Sequence, residues 1–267
     1  MVMQRAIAIV NLTVIVTTLT VIATYFMPPP ASWTGSWAGF HLPLALNIIT
    51  PCLHLGGALL FLLSLSAYRE RMRRAYTVMS LGIIITAIGS IELPIISAFD
   101  LWDSFIVTSG LVAIPLVLAG PFIYAGVRSF GLLITLRSRL SQLVLVMPGI
   151  VALIIAVSLL PHASSENSEL VYDMSNAILL WTCLFDLAAA ITILKVRQRM
   201  GAHYTKAMTW IAAALFVNAG ILALNIINAF IAPSVTNAGT FIPYLVGVAA
   251  GVLWLKAGYE FMETKDV

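Results

Sequence analysis

The sequence predicts an all-α integral membrane protein. Eight transmembrane helices are expected, arranged as two tandem four-helix repeats with both termini cytoplasmic. Three observations carry that expectation. The 267 residues are 61% hydrophobic and only 9% charged, whereas soluble domains carry roughly 25% charged residues. Eight stretches reach the length of about 20 mainly apolar residues that a bilayer crossing needs. A basic motif occurs twice, once in each half of the chain: Arg69-Glu-Arg-Met-Arg-Arg-Ala-Tyr-Thr77 and Arg197-Gln-Arg-Met-Gly-Ala-His-Tyr-Thr205.

The apolar runs cover approximately 6–27, 45–67, 76–98, 105–127, 140–160, 174–195, 206–231 and 241–259. The first exceeds the roughly 7–15 residues of a signal-peptide core, so it reads as a span. An uncharged connector rich in turn formers, Pro28 to Gly39, leads to the second. The first copy of the basic motif forms a turn between the second and third. Asp100 and Asp103 follow the third span, and Arg128, Arg137 and Arg139 the fourth. Glu166, Glu169 and Asp173 follow the fifth, and the segment from Lys195 to Lys206 joins the sixth to the seventh. An uncharged connector, 232–239, precedes the last.

With this assignment all 14 Lys and Arg residues fall on one side, and five acids with no basic residue on the other. The basic side is cytoplasmic by the positive-inside rule, which makes this a multi-pass protein of the cell membrane. Merging or dropping one span would flip every later loop and destroy that separation, which excludes a seven-helix reading. Lys256, near the inner end of the last span, reads as a snorkelling anchor. The net charge of +3 sits at helix ends and is no nucleic-acid signal.

Further matches run collinear with the repeated motif. Cys52-Leu53 pairs with Cys183-Leu184, Pro94-Ile-Ile-Ser-Ala-Phe99 with Asn225-Ile-Ile-Asn-Ala-Phe230, and Ile114-Pro115 with Ile242-Pro243. The matches keep the same order in both halves, and their offsets differ only slightly. Residues 1–135 and 136–267 therefore read as two four-helix units. An even number of spans gives both units one orientation, related by an axis along the membrane normal.

Ionisable groups inside spans are costly and are functional candidates. Here they are His54, Glu92 and Asp186, with the amides Asn47, Asn218, Asn225 and Asn228. At 1.5 Å of rise per residue, His54 sits roughly 20 Å and Glu92 roughly 25 Å from the inner end of their hairpin. A carboxylate at similar depth can orient the imidazole and exchange a proton with it, so this pair is a candidate quinone or proton site. Asp186 and Asn218 lie roughly 15 Å and 18 Å up. With Asn225 they form a candidate proton or polar path. Interhelical hydrogen bonding is the plain alternative for both groups. Judged by the cysteine match, Asp186 lies close to, but not at, the position equivalent to His54.

The pattern gives no case for a metal site or a self-contained haem. A b-type haem takes two axial ligands, and His54 is the single histidine deep in a span. His41 and His162 fall in outer regions and His203 in an inner turn. Cys52 and Cys183 read as small hydrophobes within apolar runs.

Gly56-Gly57-Ala58 in the second span, the basic turn, and Phe99-Asp-Leu-Trp102 after the third resemble the NrfD/polysulfide reductase family of membrane subunits. Trp102 stands where that family often has Gly, and the following Pro is missing. The resemblance implies a subunit that handles quinol or quinone while partner subunits carry the redox centres. A small-solute or ion transporter with a path between the repeats, and a scaffold or assembly subunit without chemistry, remain open beside it.

Overall fold

The computed structural model describes residues 2–24, 26, 37–65, 70–90, 105–132, 147, 150, 151, 154, 168–199, 201–231 and 241–263. Among them the secondary structure is helical, with no strand. Seven helices are described: α1 (Val2–Thr24), α2 (Trp37–Ser64), α3 (Glu70–Ser90), α4 (Phe105–Leu132), α5 (Ser168–Arg197), α6 (Ala202–Ile231) and α7 (Phe241–Glu263). Five of them, α1, α2, α5, α6 and α7, are long and apolar enough to cross a membrane. The fifth expected span, 140–160, falls mainly outside the described residues.

Several helices start before their apolar runs. α2 starts eight residues before its run, α5 six and α6 four. Hydropathy marks where lipid begins, whereas the backbone hydrogen-bond ladder continues into the polar boundary. The first basic motif is therefore mostly not a turn. α3 begins at Glu70, so Arg71 to Thr77 form its first two turns. Glu70 suits the positive end of the helix dipole and accepts a bond from Arg74 at 2.6 Å. In the second copy Arg197 closes α5, and Tyr204 already lies in α6.

Six helices close into a ring in chain order: α2 against α3, then α4, α5, α6, α7 and back to α2. α1 lies outside this ring, against α2 and the edge of α7. It leaves Leu12, Val14, Ile15 and Leu19 exposed. Without water, such helices associate through close packing and polar contacts rather than a hydrophobic driving force. Glycine supplies the close approaches. A Cβ on Gly126 of α4 would lie 2.6 Å from the Met79 backbone nitrogen of α3. One on Gly57 of α2 would lie 2.9 Å from the Trp254 carbonyl of α7.

Contacts also fix the directions of the helices. Thr50, Leu53 and Leu60 of α2 meet Gly247, Gly251 and Gly258 of α7 in the same order, so these helices run parallel. On the far side of the ring, Val117 of α4 accepts a hydrogen bond from Trp181 Nε1 of α5 at 2.9 Å, and Gly120 packs on Phe185. α4 and α5 are likewise parallel. α3 runs antiparallel to α4, and α5 to α6.

One half of the ring is filled by an apolar plug. Phe61, Tyr76, Phe130, Trp254 and Phe261 interlock there, with ring centroids 4.8–6.3 Å apart. Such pairs are worth about 0.5–1.5 kcal/mol each. Ile83, Ala190, Ile193, Met208, Ile211 and Leu215 complete it. Tyr204 reaches Phe261 from the start of α6, and Ala6 of α1 packs on Leu60 and Met262. Arg5, Arg74, Arg128, Lys206 and Lys256 thus gather at the plugged end. Lys256 is half-exposed, pairs with Glu260 at 2.9 Å and lies over the Tyr259 ring.

Candidate functional site

Away from the basic end, the inner faces of α2 and α5 change from apolar to polar. On α2 the inward stripe runs His54, Ala58, Phe61, at helical spacings of four and three. On α5 it runs Asp186, Ala190, Ile193 in the same spacing. Ala58, Phe61, Ala190 and Ile193 are all fully buried in one cluster. His54 and Asp186 each sit one turn beyond it, 2% and 1% exposed. Lipid-facing residues lie on the opposite sides of the two helices, at Leu59 and Leu63 of α2 and at Ile191 of α5.

His54 Nδ1 lies 2.8 Å from the Thr50 carbonyl, one turn back on its own helix. A carbonyl can only accept, so Nδ1 carries the hydrogen and Nε2 is the acceptor nitrogen of the neutral ring. Nε2 is buried and has no partner among the described residues. The imidazole is thereby held in one tautomer with its basic nitrogen free. Thr50 in turn donates its hydroxyl to Leu46, 3.0 Å away.

Asp186 is held across a helix boundary instead. Asn218 Nδ2 of α6 donates to Asp186 Oδ2 at 2.5 Å. Next to this contact, Cys183 donates its thiol to the Ala219 carbonyl at 3.4 Å. Asp186 Oδ1 is buried without a partner among the described residues. The Asp186–Asn218 contact therefore joins α5 to α6 while one carboxylate oxygen remains available.

Of the residues singled out in the sequence, Asp186 and Asn218 are brought together. His54 is a buried residue of α2, one turn from the apolar plug. Glu92 lies outside the described residues. Asn225 belongs to α6, two turns beyond Asn218, and its side chain is outside the described set.

Two positions escaped the sequence reading. His41, expected in an outer region, is a helical residue of α2 and 2% exposed; the apolar run around it, Trp37 to Leu46, is the signal that could have placed it. Ser80 is fully buried with an unpartnered Oγ among the described residues. A lone serine in an apolar run gives no such signal. Among the described residues, no group of three or more His, Cys, Asp or Glu could hold a metal ion.

The chain matches no protein-family model, no characterised protein and no solved structure.

Proposed function

We propose that the chain is the quinol- and quinone-interacting, or anchoring, membrane subunit of a respiratory electron-transfer complex. One observation carries the reading. His54 offers a buried basic nitrogen inside an apolar span, without a partner among the described residues and fixed in tautomer by its own helix. A quinol hydroxyl needs such an acceptor, because it must give up a proton in an apolar setting. The Nδ1 bond to Thr50 spares the ring from reorganising when the ligand arrives. The redox centres belong to partner subunits, and the protonic part falls to this chain.

The same reading takes the chain as eight spans in two four-helix repeats, with the basic end cytoplasmic. Support for eight comes from α4 and α5. They run parallel, so the end of α4 and the start of α5 lie at opposite ends of the bundle, as one further crossing between them would require. The gathering of basic residues at the plugged end supports the orientation.

The test is binding of a short-chain benzohydroquinone to the purified protein, measured by calorimetry. His54→Ala is expected to weaken it about tenfold, the loss of one buried hydrogen bond. Equal affinity in that variant removes His54 from the reading. Purification in mild detergent is expected to retain chains that carry iron–sulfur or haem centres. A solitary protein that takes up solutes in liposomes would instead establish the second reading, a transport path. That alternative has its own support in Asp186, whose Oδ1 lies unpartnered beside Asn218.

A further inference from the structure

α2 and α5 stand opposite one another in the ring, three helices apart by either route. They correspond in detail at a constant step, the one that carries Thr50 onto Thr182. Thr50 bonds back to Leu46 as Thr182 does to Ile178, at 3.0 and 3.1 Å. At the same step, Leu53 receives Gly251 of α7, and Phe185 receives Gly120 of α4. Cβ atoms added to those two glycines would lie 2.8 and 2.9 Å from the partner Cβ atoms. The stripe His54–Ala58–Phe61 therefore falls on Asp186–Ala190–Ile193. In this register His54 and Asp186 occupy the same position, in helices of the same direction and above the same plug. Side chains on helices lean toward the N-terminus, so both lean away from the plug, on the inner face of the ring.

We propose that His54 and Asp186 are the two ends of one ligand site, on the axis that relates the two halves. Its ligand carries a hydrogen-bond donor at each end, the chemical class of a para-hydroquinone. This rests on the quinol reading of His54 and adds the second contact. His54 Nε2 accepts from one hydroxyl and Asp186 Oδ1 from the other. Asn218 holds Asp186 Oδ2 and so aims Oδ1. Both acceptors are buried and unpartnered among the described residues, which is costly unless a ligand supplies the donors.

Asp186→Asn separates this role from a structural one. The new amide oxygen still accepts from Asn218, but an NH2 donor replaces the acceptor Oδ1. A benzohydroquinone is then expected to bind about tenfold more weakly. Its monomethyl ether, which has one hydroxyl to give to His54, is expected to bind as it does to the unaltered protein. Asp186→Glu keeps an acceptor and is expected to recover part of the hydroquinone affinity. Unchanged hydroquinone binding in Asp186→Asn overturns the proposal, as does an equal loss for both compounds. If hydroquinone binding responds to His54→Ala alone, the quinol reading stands and the second contact falls. If the unaltered protein binds neither compound, the quinol reading itself falls.

Discussion

His54 and Asp186 each present one buried acceptor without a partner among the described residues, yet the fold holds them by different means. His54 is tied to its own helix through Thr50, while Asp186 is tied across α5 and α6 through Asn218. An intrahelical tie orients a side chain without joining helices. A tie between helices does both. α2 thus leaves its polar group free of a tie to another helix among the described residues, and α5 makes its polar group part of the α5–α6 seam. Substitution at the two positions should separate ligand binding from stability.

The largest effect is expected where α2 and α5 make alike contacts with a glycine of a neighbouring helix. Gly251→Leu and Gly120→Leu drive a side chain into Leu53 and Phe185 respectively. Each should cost about 1–3 kcal/mol, as overpacking does, read as a fall in unfolding midpoint in mixed micelles. A large loss at one glycine and none at the other would break the likeness proposed between α2 and α5.

Next comes Asp186→Ala. It strands the Asn218 amide in the α5–α6 seam. A double-mutant cycle with Asn218→Ala should give a coupling of roughly 0.6–1.7 kcal/mol, the range found for hydrogen bonds between membrane helices. Zero coupling would mean that the contact does not hold the two helices together. His54→Ala should cost less, below about 0.5 kcal/mol, because the Thr50 carbonyl keeps its backbone ladder bond. The same micelle assay reads the difference. A cost above that of Asp186→Ala would reverse the contrast.

The smallest effect is expected for Arg74→Ala. Its pair with Glu70 joins side chains that are 77% and 68% exposed. Exposed pairs contribute within about 1 kcal/mol, and often nothing. It sets the scale against which the buried Asp186 contact is judged.

Depth counting along the apolar runs was enough to bring Asp186 beside Asn218 on paper, because a straight helix converts residue number into height. The register between halves was harder to read. Matching Cys52-Leu53 to Cys183-Leu184 gives a step one position shorter than the packing follows, which carries Thr50 onto Thr182. The surroundings of the two cysteines differ. Cys52 is half-buried against Leu44 and Ile48, while Cys183 is buried and bonds to α6. Identity of residues did not mean identity of neighbours. The helical start of α3 was hidden for another reason. Arginine is a good helix former, but its charge removes it from a hydropathy run. His41 was lost the same way, as a polar residue at the margin of an apolar segment. The plug could not be read at all, since Phe61, Tyr76, Phe130 and Phe261 meet only when the ring closes.

The seam between α2 and α7 has a consequence for how the protein is made. Gly57 and Trp254 touch, yet most of the chain is synthesised between them. At about 5–20 residues per second, α2 waits on the order of 10–40 s for its last neighbour. During that interval its small-residue face is open to lipid, to insertion machinery or to other nascent chains. A stop codon shortly before Phe241 would then do more than shorten the protein. It would leave an unclosed arc of helices, with Phe61 and Tyr76 stripped of their Trp254 and Phe261 neighbours.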